Sequence, residues 1–159
     1  MARPRNSSHP PLRLGIHATV ASQCVPILRR QLRKAHAVLH SPLRELSVAI
    51  VSAQQMAALH KQFLHKPATT DVLTFELDHN PRGRVISGEI VICHAVARRR
   101  ARELGHPVAH EMLLYAIHGL LHLSGFDDRT TSAFTAMHAK EDEILARLGV
   151  GPVFSRGSS

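Results

Sequence analysis

The chain has 159 residues, 44% of them apolar, with five Phe, one Tyr and no Trp, enough for one domain with an aliphatic core. Its 20 Lys and Arg against 12 Asp and Glu give a formal charge of +8, which favours polyanionic partners such as RNA, DNA or an anionic membrane surface. No apolar run is long enough to span a membrane, and Cys24 and Cys93 form neither a CxxC pair nor a disulfide framework.

The first residues are expected to form a disordered basic arm over 1–11, with no apolar signal-peptide core, and 151–159 to be a flexible tail. A single domain then spans 12–150. "LRLGIHATV" (Leu12–Val20) predicts a first strand. Cys24–Leu39 has helical spacing, with Ile27, Leu28, Leu32, Ala35 and Leu39 inward and Arg29, Arg30, Arg33 and Lys34 outward. "RELSVAIVS" (Arg44–Ser52) predicts a strand, "AQQMAALHKQFL" a short amphipathic helix, and "TDVLTFEL" (Thr70–Leu77) a further strand. The turn-rich "DHNPRGR" separates it from the strand "VISGEIVI" (Val85–Ile92). "AVARRRARELG" predicts a basic helix stopped by Gly105. Pro107 suits the first turn of the next helix, placed at 107–124. The last helix lies within "RTTSAFTAMHAKEDEILARLG", capped by Thr130, Thr131 or Ser132, with Phe134, Met137, Ile144, Leu145 and Leu148 as its inward stripe. Strands interleaved with helices, followed by a run of helices, predict an α/β (α+β) fold: a mixed, mostly parallel four-stranded sheet packed with about five helices. The two cysteines are expected to be reduced, packed thiols of a cytoplasmic protein.

Within the helix over 107–124, His118 and His122 stand four apart in an otherwise apolar run. At roughly 100° and 1.5 Å per residue they differ by about 40° in direction and ~6 Å along the axis, so both imidazoles reach one cation. Two neighbouring buried imidazoles need partners, since an unpaired buried polar group costs about 1–3 kcal/mol, and a shared metal serves both. Gly125 can end this helix in a left-handed conformation and turn Asp127 or Asp128 back toward the histidines. The spacing HxxxHxxGxxD resembles the metzincin frame HExxHxxGxxH with an aspartate as third ligand. Gly119, however, occupies the place of the glutamate base, which removes the case for a zinc peptidase.

"HGLLHLSGFDD", "FLHKPATTDVLTF" (Phe63–Phe75), "GEIVI" (Gly88–Ile92) and the closing pair Met137 and Glu141 occur in the order and spacing of HGxLHLxGYDH, YRGKDxPTDVLSF, GDIVI and MxxxE. In these blocks the chain resembles the YbeY family of bacterial rRNA maturation factors, metal-dependent single-strand endoribonucleases. The resemblance covers about residues 44–149. It implies one Zn2+ per chain held on the buried central helix by His118, His122 and Asp128, the last in place of the family's third histidine. Asp127 matches the family's own aspartate and is expected at the helix end or behind the ligands. It further implies processing of the 16S rRNA 3′ end and ribosome quality control, with rRNA and the small ribosomal subunit as partners, in the cytoplasm, without a membrane or an organic cofactor.

Two departures matter. Asp128 replaces a histidine, and Leu64 stands where the family has an arginine held to be important for cleavage. Lys66 is kept and is expected to act as catalytic and RNA-binding residue, although lysine offers a point charge where arginine offers a planar fork. Arg98, Arg99, Arg100 and Arg102 are expected to contact RNA phosphates. No aromatic residue interleaves with them, so this segment gives no support for base stacking. Glu89 could accept a proton in the cavity but is read instead as a strand-end residue paired with an arginine. The expected function is a zinc-dependent endoribonuclease. The alternative is a non-catalytic ribosome-associated RNA-binding factor, with the Leu64 substitution as its support.

Overall fold

The computed structural model describes residues 11–64 and 71–150. The sheet contains β1 (Arg13–Ala18), β2 (Glu45–Val51), β3 (Val72–His79) and β4 (Val85–Cys93) in the order β1-β2-β4-β3. β1 and β2 pair in parallel, as do β2 and β4, while β3 runs antiparallel to β4. The helices are α1 (Val25–Leu39), α2 (Ala53–Leu64), α3 (His94–Leu104), α4 (Val108–Leu123) and α5 (Thr131–Arg147). The fold is thus the expected α/β arrangement of a mixed, mostly parallel four-stranded sheet with five helices. The arm and tail expected at the ends lie outside the described residues, apart from Pro11.

The connections dictate the strand directions. A parallel pair needs a crossover, which α1 supplies between β1 and β2. A short turn joins β3 to β4, where the Asn80 side chain accepts from the backbone N–H groups of Arg82 (2.9 Å) and Arg84 (3.0 Å), so this pair is antiparallel. Alternation along the strands then separates two apolar layers. Leu46, Val48, Ile50, Ile90 and Ile92 join the larger core with α1, α4 and α5. Val51, Val91 and Cys93 face the opposite way, onto Met56 of α2. Both cysteines are free and buried.

Two glycines let α4 lie close on β4. A Cβ at Gly119 would meet three Ile90 side-chain atoms at 2.9–3.0 Å, and one at Gly88 would meet Leu123 Cδ1 at 2.7 Å. The same contact explains why position 119 carries no acid: it faces the sheet rather than the histidines. Gly119→Ala should cost about 1–3 kcal/mol by overpacking, read as a lower urea midpoint at constant m-value. An unchanged midpoint would mean that the two layers are not held at this distance.

Two side chains depart from expectation. Phe134, assigned to the inward stripe of α5, is 44% exposed, whereas Met137, Ile144, Leu145 and Leu148 are buried. Phe134 lies in the first turn of α5, beyond the edge of the core that the other four reach. Glu89, expected at a strand end beside an arginine, stands mid-strand between Ser47 and Phe75 and makes no ion pair with a described arginine. The length of β4 places it within the sheet.

Candidate metal centre

α4 is buried along most of its length, and the face that carries Glu111, Leu114, Tyr115 and His118 lines a pocket. The helix ends as its sequence predicts. Gly125 has φ +102°, its N–H donates to the His122 carbonyl (3.1 Å), and the Phe126 N–H donates to the Leu121 carbonyl (3.0 Å). This pair of bonds is a Schellman motif, and it reverses the chain so that Asp127 and Asp128 return beside the helix. Thr130 then caps α5, accepting from the Ala133 N–H at 3.1 Å.

The reversal separates the two aspartates. Asp127 accepts from the Arg129 backbone N–H (3.2 Å) and pairs with its guanidinium (3.3 Å), and these bonds hold its carboxyl below the usual carboxylate range. Asp128 instead places Oδ2 3.9 Å from His122 Nε2. His118, His122 and Asp128 each offer a ligand atom within 4.8 Å of the others.

The two Nε2 atoms of His118 and His122 face each other at 2.9 Å. Two such nitrogens repel unless a proton or a cation lies between them. Tetrahedral ligands bound 2.0–2.1 Å from zinc stand roughly 3.3 Å apart, so the trio fits a small cation after minor adjustment. Behind the histidines lies Glu141, whose side chain is 1% exposed. Its Oε1 accepts from His118 Nδ1 at 2.6 Å and its Oε2 from His138 Nδ1 at 2.9 Å. A carboxylate on Nδ1 fixes the tautomer that leaves Nε2 free as a ligand.

The two imidazoles differ electrostatically. Burial disfavours charge on His118, but the hydrogen bond and charge of Glu141, helped by Asp71 and Asp128, outweigh it and raise its pKa. Burial, followed by the charge of His118, lowers that of His122. Of the two rings, His118 is thus the one whose surroundings favour a proton.

Beside His118 opens a pocket of about 380 Å³ lined by Asp71, Arg100, Tyr115, His138 and others. The four arginines of α3 do not line one surface. Arg100 faces this pocket, while Arg98, Arg99 and Arg102 line a separate surface with His94 and Glu103. Lys66 lies outside the described residues. Glu141, His138 and Asp71 were not assigned roles from the sequence, although Glu141 and Asp71 both fall within quoted motifs.

A family model described as endoribonuclease YbeY matches residues 16–149. The chain belongs to the YbeY family. The endoribonuclease YbeY of Acidothermus cellulolyticus is 37% identical over 115 residues, 65% of this chain and 70% of that one. The YbeY of Geobacillus thermodenitrificans is 33% identical over 141 residues, 82% of this chain and 90% of that one. A Thermotoga maritima protein solved in solution superposes with a TM-score of 0.59 at 26% identity, covering 89% of this chain and 94% of the other. Among the described residues, no helix is long and apolar enough to cross a membrane.

Proposed function

We propose that this YbeY-family chain is a zinc-dependent single-strand endoribonuclease acting in the cytoplasm on rRNA at the small ribosomal subunit, including 16S rRNA 3′ end processing and ribosome quality control. The observation that carries the reading is the facing Nε2 pair of His118 and His122, backed by Glu141 and joined by Asp128, in a chain of an endoribonuclease family. His118, His122 and Asp128 would hold one Zn2+, a choice of metal that follows from two imidazoles and a carboxylate. Bound there, zinc would supply a Lewis acid for the phosphodiester.

The chain's own residues do the rest. Glu141 holds the proton on His118 Nδ1 and fixes the ring. Gly119 packs on Ile90 and supplies no base, so a protein proton acceptor has to come from another position. Lys66 is assigned to the RNA backbone as catalytic and binding residue, and Arg98, Arg99, Arg100 and Arg102 to further phosphates. The test is cleavage of structured rRNA with and without a chelator. Metal-dependent cutting supports the nuclease. Binding without cutting at any metal supplement would favour the RNA-binding factor, the reading that Leu64 in place of the family arginine supports.

A second experiment separates the two aspartates. Asp128→Ala should weaken zinc affinity by about tenfold or more, and Asp127→Ala far less, because Asp127 is committed to Arg129. Equal losses in a competition titration would remove Asp128 from the ligand set.

A further inference from the structure

The pocket beside His118 brings together side chains of three helices. α3 contributes Arg100, α4 contributes His118 and Tyr115, and α5 contributes His138. Outside the pocket, Phe134 rests edge-on against His138, with ring centroids 4.1 Å apart and planes at 68°. His138 in turn lies 6.5 Å from His118, ring to ring. A large, exposed aromatic side chain therefore stands two rings away from the candidate metal ligand.

We propose that this pocket and the adjoining Phe134 ring together form a nucleotide subsite, in which Arg100 takes a backbone phosphate and Phe134, braced by His138, stacks the attached base. The assignment rests on the RNA-cleaving reading above and adds to it the residues that seat the strand.

The charges in the pocket favour Arg100 for the phosphate. Two of its acids are already engaged: Glu141 by His118 and His138, and Glu111 by His106 at 2.6 Å. Asp71 is engaged as well, its Oδ1 accepting from the Val72 N–H at 2.8 Å, and the Arg100 guanidinium brings a fixed positive charge to the same pocket. The Arg100 side chain is 54% exposed, and its ion pair with Glu103 is long, at 3.9 Å. A contact of that length on an exposed surface holds the guanidinium weakly, leaving its planar fork available to a phosphate. Arg98, Arg99 and Arg102 open onto the other surface of α3 and cannot substitute for it.

Phe134 supplies the apolar half. It is 44% exposed in the first turn of α5, at a position where burying it would extend the core by one more turn. His138 is anchored by Glu141 and gives the phenyl ring a fixed partner. A base that stacks on Phe134 gains a flat apolar contact that tolerates any of the four bases, as in single-strand binding sites elsewhere. The pocket volume lies within the range of small-ligand sites, sufficient for part of one nucleotide.

The experiment measures anisotropy of a fluorescein-labelled eight-nucleotide single-stranded RNA with the full chain, in chelator so that binding is read without turnover. Arg100→Gln should weaken binding several-fold and flatten the log–log salt slope by about 0.7, the value for one phosphate contact on a single strand. Phe134→Ala should weaken binding roughly five-fold to 150-fold, the range for one base–aromatic stack, without changing the slope. Phe134→Trp should retain affinity, and Phe134→Leu should not. On an abasic oligonucleotide of the same length the Phe134 effect should vanish while the Arg100 effect remains.

An Arg100→Gln slope equal to wild type, or a Phe134→Ala loss that persists on the abasic strand, would overturn the subsite. A wild type that shows the expected pattern of binding but never cuts RNA with zinc restored would sink the nuclease reading and leave the subsite standing. Failure of the wild type to bind single-stranded RNA would end both.

Discussion

Alanine at His118 or at His122 is expected to abolish stoichiometric metal binding and, with it, RNA cleavage. Structural zinc contributes about 10–16 kcal/mol across four ligands, so each ligand accounts for roughly 3 kcal/mol, or a hundredfold and more in affinity. One imidazole and the half-exposed Asp128 cannot make up that loss. The two variants should differ in their metal-free stability. His118→Ala strips the partner from Glu141 Oε1, a carboxylate oxygen in a side chain that is 1% exposed, and an unsatisfied buried acceptor costs about 1–3 kcal/mol or more when charged. His122→Ala leaves no comparable orphan. Elemental analysis reads the metal, and thermal melts with and without zinc read the linkage, about 2.7 kcal/mol for wild type at a hundred times Kd. A variant that keeps one metal per chain and the zinc-dependent shift in Tm would remove its histidine from the site. Equal metal-free stability of the two would contradict the role given to Glu141.

The sequence makes α4 and its ending legible because several local signals coincide there. The i, i+4 histidines, the apolar surround and Gly125 each specify the same helix and the same reversal, and the Schellman bonds realise it. β2, β3 and β4 were readable from their apolar and β-branched runs and β1 only weakly, with boundaries shifted by at most two residues. Phe134 shows where periodicity stops. It shares a helical stripe with Met137, Ile144 and Leu145, but the core ends before it does, and a spacing rule contains no information about where a core ends. The arginine run of α3 has a similar limit. Successive residues point about 100° apart, so the four must diverge, yet the sequence does not say which direction holds the metal. Glu141 was the most recoverable omission. A carboxylate inside the apolar stripe of α5 demands buried partners, and only the packing of α5 on α4 shows that those partners are His118 and His138.

Glu141→Gln tests that packing most directly, because it preserves volume while changing charge and hydrogen-bond polarity. The wild-type carboxylate accepts from both His118 Nδ1 and His138 Nδ1. A glutamine has one acceptor oxygen and one donor nitrogen, so one imidazole must change tautomer or lose its bond. If His118 changes, its Nε2 carries the proton and can no longer bind a metal. Zinc affinity at neutral pH should therefore fall about ten- to hundredfold. The pH dependence carries a second signature. Glu141 holds the His118 pKa above its ordinary value of 6.5, so in the wild type protons compete with the metal from above that pH, and apparent affinity declines as pH falls through it. Without the carboxylate charge, burial is left to lower the His118 pKa, and the decline should begin at lower pH in the variant. The gap in affinity between the two proteins consequently narrows in acid. Metal-free stability should follow the same linkage. A folded-state pKa raised above the unfolded one contributes stability that is fully present below pH 6.5 and is lost as pH rises through the folded value. The wild type's advantage over Glu141→Gln in urea melts should thus be largest below pH 6.5 and shrink above it, in the direction opposite to the metal-affinity gap. Parallel affinity profiles displaced by a constant amount would show that Glu141 orients His118 without setting its charge. Identical profiles would show that it does neither.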